Sequence, residues 1–147
     1  MATTQLNTTA YTVDADNLIL AAEFPVITRK VEIKNPGVAL ERGMAVIAGQ
    51  TTEEAKDEAG TGTVDVTNYD GYLYIAGAED SNHDAIAGVI CGILVSDAEA
   101  DTTNTSIEVR AYVSGAFNIN AVTSLDDTNF DIADGVLGAQ GNGIYLL

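Results

Sequence analysis

The sequence predicts a mainly β fold: a single compact domain of short strands, with one or two short helices and a flexible N-terminal arm. Three observations predict it. Ile86–Val95 is almost wholly apolar and rich in β-branched residues, as a buried strand should be. After the polar run Ser96–Thr105, Ile107, Val109, Ala111 and Val113 alternate with Glu108, Arg110 and Tyr112, the two-residue period of a half-buried strand. And with 147 residues, 46% of them apolar, the chain fits one domain with a core of its own and a radius of gyration of roughly 15 Å. The two strands should form a hairpin on which the rest packs. Gly88 and Gly92 mark a bulge or a close backbone approach, and the Ser114-Gly115 pair should break the second strand before Phe117 re-enters the core.

The arm comes first. Residues 1–12 hold five Thr, one Leu and no charge, too little to bury, so the segment is expected to be mobile or to add as a strand to a partner's sheet. The β-rich domain then runs over 13–147. Ala15–Ala22 is a short strand or one helical turn. Val26–Ile33 alternates, with Ile27, Val31 and Ile33 inward and Arg29 on the same face near an edge. Asn35-Pro36-Gly37 and Arg42-Gly43 read as turns, with a short strand at Met44–Ala48. Thr51 and Glu54 match a capping box within the polar stretch Gln50–Gly62. Asp70-Gly71 signals a tight hairpin, which places Tyr72 and Tyr74 on one partly exposed face. Further on, Ser124 should cap a short helix containing Asp126 and Asp127. The glycine-rich stretch Gly135–Gly143 is turn chemistry ahead of a terminal strand, Ile144–Leu147.

Charge excludes whole classes of partner. A net charge of −16 argues against nucleic acid, whose phosphates are bound by Lys and Arg, and against an anionic membrane surface. Four of the six bases, Arg29, Lys30, Lys34 and Arg42, lie within fourteen residues. They are either ordinary surface charge or a contact for an acidic partner. A lone cysteine forms no intrachain disulfide, and Cys91 reads as a small buried hydrophobe. The polar N-terminus has no apolar signal region, and no apolar run reaches membrane-spanning length, so synthesis and folding in a cytosol are expected.

No constellation asks for an enzyme or a cofactor. His83, the single histidine, sits in the polar loop EDSNHD, and a Cys-His pair would need that loop folded over Cys91. Asp80, His83 and Asp84 offer one nitrogen ligand to a metal. Asp127-x-Asn129-x-Asp131 begins like a calcium loop, but Ile132 stands where glycine is needed and Gly138 where glutamate is needed. Gly135, Gly138, Gly141 and Gly143 precede no Gly-Lys-Ser/Thr, so they do not make a phosphate cradle.

In order and spacing, Gly92-Ile93-Leu94, a polar loop, and an alternating strand closing on Ser114-Gly115-Ala116-Phe117-Asn118 resemble the lambda-type bacteriophage head decoration (capsid cementing) proteins. Leu40–Ala48, Asn129–Ile132 and Gly143–Leu146 extend the likeness. The resemblance implies a non-enzymatic structural protein on the outer surface of a virion capsid, made in the host cytoplasm and needing no cofactor. It implies a homotrimer, bound at threefold or quasi-threefold positions of the expanded head to the major capsid protein. The arm residues Ala2, Thr3, Thr4, Gln5, Leu6, Asn7, Thr8 and Thr9 would order on the capsid, with Arg29, Lys30, Lys34 and Arg42 as polar contacts. Gly92, Gly115 and Phe117 would be structural. Because three copies would carry about three times −16, the trimer interface should be apolar, with most acids outward. Two other readings stand beside it. One is a β-rich receptor-binding or adhesin accessory domain that uses Tyr69, Tyr72 and Tyr74. The other is a small hydrolase or isomerase built on His83.

Overall fold

The structure is a computed structural model that describes residues 17–20, 24–50, 72–80 and 83–147. The arm, the capping-box segment, Tyr69 and the Asp-Gly turn lie outside the described residues. Six strands are described: β1 (Ile27–Lys34), β2 (Ala45–Gln50), β3 (Leu73–Ile75), β4 (Ala87–Leu94), β5 (Ser106–Phe117) and β6 (Ile144–Leu146). A 3-10 turn covers Ile119–Ala121, and one short helix, α1, covers Val136–Gly141. The first five strands close into a barrel in the order β1-β3-β2-β4-β5, with β5 returning to β1, and β6 lies parallel to the end of β5. The mainly β expectation holds.

Closure rests on the long antiparallel ladder between β1 and β5, from Ile27 opposite Ser114 to Lys34 opposite Ser106. Over β2, β3 and β4 the sheet buries both of its faces, on two separate cores, while the outer side of the β1–β5 ladder stays exposed. Inside the barrel, alternate residues of all five strands pack together: Ile33, Val46, Ile75, Leu94 and Ala111, with Leu40 and Met44 at one end. The opposite face of β2, β3 and β4 carries Ala45, Ile47, Tyr74, Ile90 and Ile93. Phe117, Val122, α1 and β6 cover it. A bulge makes this two-sided use of β4 possible. Against β2, the register passes from Val46 opposite Gly92 to Ile47 opposite Ile90, leaving Cys91 as the extra residue. Ile90 and Ile93, three residues apart, therefore both face the outer core, while Cys91 and Leu94 face the barrel interior.

Besides Tyr74, expected on a partly exposed face but buried, and Ile27, expected inward but 46% exposed at the open start of β1, four sequence expectations need correction. Tyr112, expected on the solvent face of its strand, is buried in the outer core, its ring 5.4 Å from that of Phe117. Ser114-Gly115 does not break β5. The strand runs on to Phe117 and changes partner there, from β1 to β6. Ser124 caps no helix; Asp126 instead accepts from the Thr128 N–H and Oγ1 and holds a turn at 127–129. The glycine-rich C-terminal stretch contains α1, which poor helix propensity hides and packing against β4 and β6 sustains.

The segment after β5 is strapped across the barrel. Thr123 donates to the Gly43 carbonyl and accepts from the Ala45 N–H, and the Leu125 N–H donates 2.7 Å to the Ala76 carbonyl. Gly77, with φ +87°, lies directly under this strap: a Cβ there would sit 2.5 Å from Asp126 N and 2.7 Å from Asp126 O, both backbone atoms that cannot swing aside. Gly77→Ala is expected to cost on the order of 3 kcal/mol in denaturant melts, combining positive-φ strain with overpacking. Gly141→Ala, in the last turn of α1 with open space around it, should be neutral or stabilise by up to about 1 kcal/mol.

Candidate functional site

The basic cluster divides along its strand. Arg29 and Lys30 are exposed near the start of β1. Arg29 lies opposite Ala111, on the inward side of the ladder, where the strand runs past the interior core. Lys30 lies opposite Arg110, and Glu32 opposite Glu108, so like charges face each other across the ladder. The diagonal ion pair Lys30–Glu108, 3.1 Å, offsets this, and Glu32 also accepts from Ser106 Oγ. Lys34 is half-buried with its ammonium 4.9 Å from the Tyr72 ring centroid.

Arg42 is built into the fold. Its Nη1 donates 2.8 Å to the Val95 carbonyl and 2.7 Å to Tyr112 Oη, the guanidinium stands over the Tyr112 ring, and its backbone N–H donates to Asp97. These bonds tie the β1–β2 turn to the β4–β5 loop, with the Leu40–Ala98 bridge beside them. Of the four bases, Arg29 and Lys30 are the ones that stand exposed.

The β4–β5 loop is itself ordered by hydrogen bonds. Asp101 accepts from Asn104 Nδ2 at 2.7 Å, from the Thr103 N–H at 2.8 Å and from the Asn104 N–H at 3.1 Å. Asn35 Nδ2 reaches across to the Asp101 and Asn104 carbonyls. The bonds from Asn104 and Thr103 hold the Asp101 carboxyl well below the usual carboxylate range, and Thr128 lowers Asp126 in the same manner.

The candidate chemical residues do not converge. His83 Nδ1 lies 3.2 Å from Glu79 Oε2 on an exposed loop, and the Asp84 N–H donates to Asp80 Oδ1. Among the described residues, no three His, Cys, Asp or Glu side chains are grouped to hold a metal ion. Asp126, Asp127 and Asp131 line a shallow open cleft with Thr123 and Ser124. No described helix is long and apolar enough to cross a membrane.

The remaining sequence-marked residues are packed ones. Phe117 is fully buried. A Cβ on Gly92 would lie 3.2 Å from the Ala111 Cβ, in the crowded barrel interior. Gly115, with φ +145°, is where β5 changes partner, and a Cβ there would lie 2.9 Å from Phe117 Cζ. Tyr74, proposed from sequence as a surface contact, is buried in the outer core, and Tyr72 is half-buried.

Sequence reasoning missed the exposed apolar residues. Leu20, Phe24, Val26 and Ile27 gather beside residues 114–116 of β5, with the Phe24 ring 4.9 Å from Tyr145; Val89 and Leu137 are exposed elsewhere. In sequence these residues look like any core hydrophobe, and only the packing leaves them bare. Comparison of the sequence with protein-family models and with curated proteins finds no match.

Two measurements check this chemistry. Burial pushes the Cys91 thiol up to about 11 from 9.0. Alkylation of the folded protein at pH 8 should therefore run roughly 100-fold slower than of the unfolded chain. Equal rates would show an exposed thiol. Asp101 carries a lowered folded pKa against an ordinary value of 3.8. Its contribution to stability is therefore fully present above that value and is lost as pH falls through the folded pKa. Between about pH 4 and pH 2, urea melts should show wild type losing more stability than Asp101→Ala.

Proposed function

We propose that this chain is a capsid decoration protein: a non-enzymatic homotrimer that binds the major capsid protein at threefold or quasi-threefold positions of an expanded phage head and resists internal DNA pressure. One observation carries the reading. Several of the short stretches that resemble the lambda-type decoration proteins are far apart in sequence yet meet in the outer core, while Leu40, Met44, Val46 and Leu94 of the same stretches pack inside the barrel. Ile93 and Phe117 are packed together with Phe130, Ile132, Ile144 and Leu146. The strands holding Gly92-Ile93-Leu94 and Gly115-Ala116-Phe117 are paired neighbours, with Ile93 opposite Tyr112 and Leu94 opposite Ala111. Charge is consistent with the same class, because −16 disfavours nucleic acid and anionic membranes as partners.

The mechanism is linkage. A ligand that binds only the expanded lattice stabilises it in proportion to occupancy, and three joined copies gain avidity because later contacts form at high effective concentration. The uncharged segment 1–12 would supply main-chain strand addition, and exposed Arg29 and Lys30 polar contacts. Lys30 pairs with Glu108 but stays exposed, whereas Arg42 and Lys34 are half-buried against partners in the fold and fit a contact role less well. The receptor-binding alternative draws less support, since Tyr74 is buried and Tyr72 packs against Lys34.

Co-sedimentation with cognate heads tests the reading. Saturable binding to expanded shells, none to unexpanded ones, and binding weakened at least about tenfold by deleting 1–12 is the expected result. Absence of binding to either shell would refute it.

A further inference from the structure

A chemically labile pair falls at a junction on which the C-terminus depends. Of the ten asparagines in the chain, Asn142 is the one followed by glycine. Glycine has no Cβ, so nothing hinders attack of its nitrogen on the neighbouring side-chain carbonyl. Asn142 directly follows α1, and Gly143 directly precedes β6. The pair therefore links two of the elements that cover the outer core.

In the folded chain three features hold the pair back from that reaction. The Gly143 N–H donates 3.0 Å to the Gln140 carbonyl. Asn142 Nδ2, the nitrogen that would leave, donates 2.9 Å to the Ile90 carbonyl of β4. At ψ 6° the Gly143 nitrogen eclipses the backbone nitrogen of Asn142, whereas closing a succinimide ring needs it eclipsed with Cβ. Asn142 is nevertheless exposed, so hydrogen bonds and backbone angle, and not burial, are what restrain it.

We propose that Asn142 is a deamidation site gated by release of α1 and β6 from β4 and β5. Once the Gln140 and Ile90 bonds open and ψ rotates, the Gly143 nitrogen gives its proton to solvent and bonds to Asn142 Cγ. Nδ2 takes up a proton and leaves as ammonia. Water then opens the succinimide at one carbonyl or the other, giving aspartate or isoaspartate. Both products oppose return to the closed state. Aspartate sets an acceptor-only carboxylate where Nδ2 faced the Ile90 carbonyl. Isoaspartate lengthens the main chain by a methylene between α1 and β6. The strain falls on a short ladder, Gly115–Phe117 against Ile144–Leu146, and Ile144 and Leu146 are part of the outer core.

The test incubates the full chain at mildly alkaline pH, folded and in urea, while peptide mass spectrometry follows asparagine, aspartate and isoaspartate at position 142. Hydrogen exchange by NMR gives the protection of the Gly143 amide in the same native buffer. In urea, product should accumulate at Asn142 ahead of every other asparagine. The folded chain should react more slowly by the factor that protects the Gly143 amide, to within about threefold. Asn142→Asp should exchange its β6 amides at least about tenfold faster than wild type, with the β1–β5 ladder as protected as before. Equal rates folded and unfolded would mean that no gate exists, and slowing far beyond the Gly143 protection would put the gate elsewhere. Unchanged β6 exchange in Asn142→Asp, or loss of the β1–β5 ladder along with β6, would show that the junction does not open on its own. Each of these results overturns the proposal.

Discussion

The twelve residues of β5 serve three neighbours in succession, and the rest of the structure depends on that sharing. Through Ser114 the strand pairs with β1 and closes the barrel; at Ala111 and Tyr112 it also holds β4. From Gly115 to Phe117 it receives β6 on a parallel ladder and the Ile19 bridge. A barrel removes the sheet edges that invite mispairing, and this one does so with strands too short to be stable as isolated hairpins. Gly115 lets the strand pass from one partner to the next without a break. Phe117, at its end, then seals the outer core beneath Tyr112.

The outer core explains why the C-terminal third belongs to the same unit. One face of β2, β3 and β4 would be bare without the strap at 122–125, α1 and β6. The Cys91 bulge lets β4 feed both cores at once, placing Ile90 and Ile93 outward and Leu94 inward. Its thiol lies half-buried toward the interior, where the cost of forming a thiolate keeps it inert. Lys30, Glu32, Glu108 and Arg110 stand on the uncovered outer side of the β1–β5 ladder, where diagonal pairing offsets like charges in register.

The elements legible in the sequence were those with a clear period or turn chemistry. β4 and β5 stand out as an apolar run and an alternation, and Gly37 takes positive φ after Asn35-Pro36 as turn chemistry predicts. Tyr112 was misplaced because alternation presumes one buried face, and β5 buries its other face wherever the outer core reaches it. α1 was hidden because its glycines disfavour a helix in isolation, and tertiary packing decides instead. The exposure of Arg29 and Lys30 is what their charge alone leads one to expect. The internal bonds of Arg42 could not be read from sequence, because they join residues 53 and 70 positions apart. Exposed Phe24 and Leu137 were equally hidden, since nothing in a sequence says which hydrophobes packing leaves uncovered.

Imaging of expanded heads by electron cryomicroscopy, with and without added protein, tests the decoration reading most directly. The prediction is extra density of three β-barrel copies at each threefold and quasi-threefold position, absent from undecorated heads and from unexpanded shells. Density confined to other sites, or shells identical with and without the protein, would contradict it.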